Sequence, residues 1–287
     1  MNQYRVPEVA KRYTEYDMIQ AYTDLPQFPD SRARLLYAFL RSSVRTGDSS
    51  ELYALVTSLA QMGLDTHERV TEMDNHREKQ AVRSRQLKVL AGDYFSSRFY
   101  NLLAQAGQIE LTRHLSQAIC DVSRLKMNLY HSIRQLKLTA DDYVKQMVGI
   151  RSALFLIFSR WMDEGQRNAW PDILHGLSVC EVIAEEIGKS ESAHPNPDSW
   201  AYLHIMQNGT REEKRHVRSR EADTGKIRAI FMKYNVRTQL YQLLDMHVQS
   251  LKELVRRVDP EKRMVELAAL VEPFAQYVSA PMVIEER

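Results

Sequence analysis

Apolar residues recur three and four positions apart along most of this chain, the spacing of one face of an α-helix. Pro29-Asp30-Ser31 opens a segment whose apolar positions are Leu35, Leu36, Phe39, Leu40 and Val44. Gly47-Asp48-Ser49-Ser50 supplies a turn and an N-cap for the next. Its stripe of Leu52, Leu55, Val56, Leu59 and Met62 runs straight into Asp65 and His67. From Met73 to Arg85 the chain is polar and aperiodic and reads as a surface loop. A helix is predicted from about Gln86 to Ala106, ended by Gly107, and another on Leu111, Leu115, Ile119, Val122 and Leu125. Thr139 caps a further helix that carries Tyr143, Met147, Ile150, Leu154 and Phe158. Asp141 and Asp142 stand in its first turn, where the helix dipole favours acids. Pro171 starts a helix closing near Gly188.

Ser190 to Pro197 breaks the pattern with turn residues and two prolines. Beyond it come a short apolar piece from Trp200 to Met206, a charged stretch, a long helix to about Val258, and a last helix after Asp259-Pro260. The organisation expected is a helical domain over residues 1–189 and a C-terminal helical extension over 190–287, either part of the same domain or an appendage. The fold class is all-α, a bundle of antiparallel helices around a central cavity or core.

Composition agrees with the periodicity. Glycine and proline number only 10 and 9, while residues that lose little rotamer freedom in a helix abound. The net charge of +2 gives no push toward nucleic acid. Within Arg211–Glu221 the interleaved glutamates and missing aromatics point to a solvated, salt-bridged helix face. The two cysteines, Cys120 and Cys180, lack metal or redox spacing and suit a reducing compartment. No signal peptide is read at the N-terminus, and the longest apolar run, Ala153 to Phe158, falls far short of the roughly 20 residues a bilayer span needs. The expectation is a cytoplasmic protein, with peripheral membrane contact left open. His114, His131, His175 and His247 have no ligand spacing.

Two segments carry the chemistry: Leu64-Asp65-Thr66-His67-Glu68-Arg69-Val70, and Arg85-Gln86-Leu87-Lys88-Val89-Leu90-Ala91-Gly92-Asp93-Tyr94-Phe95-Ser96. The second resembles the helix that follows the first aspartate-rich motif of all-α trans-prenyl diphosphate synthases. Those enzymes ionise an allylic carbon–diphosphate bond, so the departing pyrophosphate needs Mg²⁺ ions held by clustered carboxylates. Where the family carries Asp-Asp-x-x-Asp, this chain has only Asp65 and Glu68. Asn75 to Lys79 replaces the Arg-Arg-Gly that follows it. Counting from Tyr143, the diphosphate-binding lysine falls on Ile150. The second aspartate motif should lie near Cys180 to Gly188, where Glu185-Glu186 is the nearest acidic pair.

Taken together, the two segments resemble the small, non-catalytic component of heterodimeric hexaprenyl and heptaprenyl diphosphate synthases of menaquinone-making bacteria. The likeness is specific over about Leu52–Phe158, thinner to Gly188 and weak beyond Ser190. It implies a catalytic large subunit as partner, with Mg²⁺ bound there and no cofactor on this chain. Farnesyl and isopentenyl diphosphate are handled through the complex, and this chain helps shape the product tunnel. The heptaprenyl product is favoured over hexaprenyl. No catalytic residue and no metal ligand is assigned. Asp65, His67, Glu68, Arg85, Gly92, Asp93 and Tyr94 are the degenerate-motif or partner-interface candidates.

Each candidate has a plainer reading. Asp65, His67 and Glu68 form a degenerate metal or phosphate site, or they close a helix end at a subunit interface; the second is preferred, because two carboxylates are too few for a hard cation. Gly92-Asp93-Tyr94 is functional, or a close-packing glycine beside a paired acid. The rivals to a partner subunit are an autonomous prenyl transferase using Asp65, Glu68, Glu185 and Glu186, and a helical adaptor that kept the fold.

Overall fold

Thirteen helices and two short 3₁₀ turns are formed by the residues that the computed structural model describes, which are 4–17, 19, 23–70, 79–191, 197–219, 223–258 and 261–279; none of these is in a β-strand. The helices are α1 (Val6–Thr14), α2 (Asp30–Arg41), α3 (Ser50–Glu68), α4 (Lys79–Gln105), α5 (Ile109–Arg134), α6 (Ala140–Leu156), α7 (Glu164–Arg167) and α8 (Ala169–Ser190). After these come α9 (Trp200–Asn208), α10 (Arg211–Arg218), α11 (Thr224–Lys233), α12 (Val236–Arg256) and α13 (Glu261–Ser279). The 3₁₀ turns are Gly47–Ser49 and Ile157–Trp161.

The chain gathers into two compact units, residues 1–122 with 153–170, and residues 123–152 with 171–287. In the first, α3 is buried nearly all round from Tyr53 to Gly63 and lies along α4. Its core takes Leu35, Leu36, Phe39 and Leu40 from α2, Phe95 and Leu103 from α4, Leu111 and Leu115 from α5, and Phe155, Phe158 and Trp170. The rings of Phe39 and Trp170 meet edge to face at 5.2 Å, a favoured aromatic geometry. In the second unit, Leu240, Leu244, Val248 and Leu251 form the buried stripe of α12. There α8 comes close enough that a Cβ on Gly176 would stand 3.1 Å from Leu251.

Several boundaries differ from the sequence expectation for physical reasons. Val44 is fully exposed, because α2 stops at Arg41 and the chain turns at Ser42. Ser49 makes no side-chain cap; the turn before α3 is held instead by Ser50 Oγ donating to the Gly47 carbonyl at 2.7 Å. The expected loop from Met73 to Arg85 is helical from Lys79 onward, its remainder lying outside the described residues. From Gln80 to Gln86 no side chain is fully buried, so no apolar stripe forms to reveal these turns to a periodicity reading. The long helix expected to end near Val258 is α12, which closes at Arg256, and a separate helix, α11, precedes it. Asn235 parts them with φ 50°, a left-handed turn that asparagine tolerates. The charged stretch forms α10, opened by a capping box between Thr210 and Glu213. Thr139 does cap α6, its hydroxyl 3.0 Å from the Asp142 amide.

Candidate functional site

The C-terminal end of α3 and the middle of α4 bring three of the candidates together. His67 lays its imidazole against Gly92, where an added Cβ would stand 2.6–2.8 Å from the ring atoms. The same ring reaches Asp93, with Nε2 3.3 Å from Oδ1. One turn earlier, a Cβ on Gly63 would meet Ser96 Oγ at 2.8 Å and the Gly92 carbonyl oxygen at 3.2 Å. Two glycines, one per helix, therefore let the backbones approach where the motif sits.

The other candidates go elsewhere. Asp65 accepts a hydrogen bond from Gln61 Nε2 at 2.9 Å. Gln61 in turn accepts from Arg32 Nη1 at 3.4 Å, and that guanidinium, in a residue 4% exposed, lies over the Phe155 ring at 5.2 Å. A buried cation needs nearby acceptors, and the amide passes the polarity on toward the carboxylate. Glu68 is exposed, and Arg85 is half-buried on the second turn of α4. The Tyr94 hydroxyl is 2.7 Å from that of Tyr16, with the Arg98 guanidinium over its ring at 4.9 Å.

The position of the second aspartate motif lies in the second unit, on α8. Sequence reasoning missed what is built there. Glu186 is 2% exposed, and its carboxylate accepts from the Trp200 amide at 2.6 Å, from Lys189 Nζ at 2.7 Å and from the Tyr143 hydroxyl at 3.0 Å. Burial and then the Glu186 charge push the Tyr143 phenol far above its ordinary range, so it remains a neutral donor. Burial raises the neighbouring Glu185 carboxyl, but Arg151 and Lys189 more than offset that and hold it below the usual range. The pattern was readable only as an acid pair followed by a lysine one turn on. Ile150, where a diphosphate-binding lysine would fall, is buried. Cys180 is buried too, and that burial, with the Glu181 charge beside it, pushes its thiol up to about 12, leaving no thiolate nucleophile at neutral pH.

What this arrangement can do follows from its donors. Mg²⁺ takes several oxygen ligands in near-octahedral geometry. Among the described residues no three His, Cys, Asp or Glu side chains are grouped to hold a metal ion. Asp65 accepts from an amide, while Glu185 and Glu186 face cations and other hydrogen-bond donors. No helix of the described residues is long and apolar enough to cross a membrane.

Solved structures of this architecture include several prenyl-chain synthases. The fold matches a geranylgeranyl pyrophosphate synthase from Lactobacillus brevis with a TM-score of 0.72 at 12% identity, covering 94% of each chain. It matches a decaprenyl diphosphate synthase from Rhodobacter capsulatus at 0.68 and 13% identity, covering 95% of each. A heptaprenyl diphosphate synthase from Staphylococcus aureus gives 0.68 at 12% identity, covering 96% of this chain and 98% of that one. At these identities the likeness establishes the fold, an all-α isoprenoid-synthase bundle, and it takes in residues well past 190. In sequence, 81 residues are 38% identical to heptaprenyl diphosphate synthase component 1 of Geobacillus stearothermophilus. That stretch is 28% of this chain and 34% of the relative's length. The family model for heptaprenyl diphosphate synthase (HEPPP synthase) subunit 1 matches residues 16–235, most of the chain. The protein therefore belongs to the heptaprenyl diphosphate synthase subunit 1 family.

Proposed function

We propose that this chain is the non-catalytic subunit of a heterodimeric long-chain all-trans polyprenyl diphosphate synthase. Its partner is a larger subunit that carries the aspartate motifs, binds Mg²⁺ and condenses farnesyl with isopentenyl diphosphate. This chain binds no Mg²⁺ of its own; it completes the assembly and helps wall the tunnel for the growing product. The heptaprenyl chain, destined for the menaquinone side chain, is the favoured product. The reaction belongs in the cytoplasm, beside the membrane that receives so apolar a chain.

One observation carries the reading: Asp65 at the first motif position and both carboxylates at the second are already engaged within the protein. Asp65 is bound by Gln61, Glu185 is paired with Arg151 and Lys189, and Glu186 accepts from Lys189, Tyr143 and the Trp200 amide. Asp65, His67, Glu68, Arg85, Gly92, Asp93 and Tyr94 then serve the subunit interface rather than the reaction.

The test is co-expression with the aspartate-motif subunit from the same source, with each chain and the mixture assayed on farnesyl and isopentenyl diphosphate. Turnover by the mixture alone, with a C35 product on chromatography, is the expected result. Elongation by this chain alone would overturn the reading.

A further inference from the structure

Basic charge is concentrated in one stretch of the second unit. Residues 211–237 hold nine Lys and Arg against four acids, in a chain whose net charge is only +2, so the remainder is net acidic. On α10, Arg211, Arg215 and Arg218 fall at helical spacing on one exposed arc, with Val217 buried on the other side. Among the described residues no acid pairs with any of the three. Glu213 turns instead to Lys233 at 2.7 Å and to the Tyr234 hydroxyl at 2.8 Å, which ties α10 to the C-terminal end of α11. On α11, Ile227, Ile230 and Phe231 are buried. The opposite arc carries Met232, 75% exposed, with Arg228 on one flank and Lys226 on the other, both exposed. We propose that the outward faces of α10 and α11 dock on an anionic lipid bilayer, the cations against phosphate head groups and Met232 reaching past them. The inference goes beyond the partner-subunit reading and does not depend on it.

Charge and chemistry together choose this occupant. Each Lys or Arg brought against an anionic bilayer strengthens binding about fivefold. Arg211, Arg215, Arg218, Lys226 and Arg228 are exposed, and among the described residues none of them is neutralised by an acid. The net acidity of the remainder turns this face toward a negative surface as the chain approaches one. A groove for single-stranded nucleic acid would set aromatic rings among its cations for bases to stack on. Here Phe231 is buried and the Tyr234 hydroxyl is committed to Glu213. The exposed thioether of Met232 gains nothing from a phosphate backbone, whereas the acyl boundary of a bilayer buries it.

The test is sedimentation of the full-length chain with vesicles, made of phosphatidylcholine alone or of phosphatidylcholine and phosphatidylglycerol in equal parts. Circular dichroism follows the fold of each variant. The chain should bind the anionic vesicles and not the neutral ones, and added salt should weaken binding by shortening the reach of the charges. Replacing Arg211→Gln, Arg215→Gln and Arg218→Gln together should weaken binding about 100-fold. Met232→Gln leaves the charge unchanged and should weaken binding severalfold with the salt dependence intact; wild-type binding by that variant would overturn the part given to Met232. Equal binding to both kinds of vesicle, binding to neither, or wild-type affinity in the triple arginine variant would overturn the proposal. Single-stranded RNA that displaces the vesicles and depends on the same three arginines would overturn the choice of lipid. If the triple variant does not fold, Lys226→Gln with Arg228→Gln decides, both positions being exposed, with an expected loss of about 25-fold.

Discussion

Gly63→Ala and Gly92→Ala add the same methyl group to two facing helices, and helix propensity alone gives both the same sign. At an open helical site the change stabilises by about 1 kcal/mol. Neither site is open. At position 63 the new Cβ would lie 2.8 Å from Ser96 Oγ and 3.2 Å from the Gly92 carbonyl oxygen. The hydroxyl can rotate away, but the carbonyl belongs to the backbone of α4, so the helix itself must give. Overpacking of this kind costs about 1–3 kcal/mol, so Gly63→Ala should fall between no change and a loss of about 2 kcal/mol. At position 92 the obstacle is the His67 ring, at 2.6–2.8 Å. That ring ends a side chain 39% exposed near the end of α3 and can swing into water. What is lost is its contact with Asp93, worth about 0.2–1 kcal/mol at an exposed site. Gly92→Ala should therefore stay within about 1 kcal/mol of wild type, on the stable side. Urea denaturation should separate the two variants by about 1–2 kcal/mol with no change in slope. A Gly63→Ala protein stabilised by the full propensity gain would refute the close approach of the backbones. Equal destabilisation by both would refute the mobile ring.

Leu136 holds φ at 53° while 39% exposed, a left-handed conformation costing an L-residue roughly 1–2 kcal/mol. Leu136→Gly should raise the melting temperature through a gain of about 0.5–1 kcal/mol, and a fall would mean the leucine side chain matters more than its backbone. Tyr143→Phe should lower stability by about 1.5–3 kcal/mol, since the hydroxyl faces a buried charged carboxylate; a loss under about 0.5 kcal/mol would show that Glu186 does not depend on it. Acid should unfold the second unit progressively. Glu213 is held at about 2 by Lys233, the Thr210 amide and Tyr234, and Glu185 also lies below its ordinary value. A depressed carboxylate stabilises the folded state above the ordinary value of 4.5 and loses that contribution as pH falls, here down to about 2. Glu213→Gln should flatten the pH–stability slope between those limits, and an unchanged slope would exclude Glu213 as a source.

Periodicity exposed the helices of the first unit because their buried faces repeat at helical spacing. Leu35, Leu36, Phe39, Leu40, Leu55, Val56, Leu59 and Met62 are all core residues. It failed where a helix has no buried face to advertise, as in the first turns of α4, and it did not mark the turn that Asn235 makes between α11 and α12. The Leu64–Val70 and Arg85–Ser96 segments carried the family resemblance, yet geometry splits the candidates they supplied. His67, Gly92 and Asp93 meet, while Asp65 turns toward Gln61 and Tyr94 toward Tyr16. The Glu186 network joins residues up to 57 positions apart, from Tyr143 to Trp200, and no local spacing announces such a contact. Its existence follows from a fold-level fact, that a carboxylate buried on α8 must find donors wherever the chain brings them.

On the proposed reading, restoring a motif is not enough to restore an enzyme. Leu64→Asp with Glu68→Asp would recreate Asp-Asp-x-x-Asp over residues 64–68. Asp65 would still be bound by Gln61, whose other end is held by the buried Arg32. The second motif position would still offer only carboxylates committed to Arg151, Lys189, Tyr143 and the Trp200 amide. Stripping a buried charge of its partner costs about 3–5 kcal/mol, so freeing Glu186 would spend much of the stability of an ordinary domain. The double variant, purified alone with Mg²⁺, farnesyl diphosphate and isopentenyl diphosphate, should therefore release no elongated product above the wild-type background. Radiolabelled isopentenyl diphosphate and chromatography of the extracted lipid would reveal even a low yield. Turnover by that variant would mean that the internal partners of these carboxylates give way readily to a metal, and the case for a partner-dependent subunit would lose its physical basis.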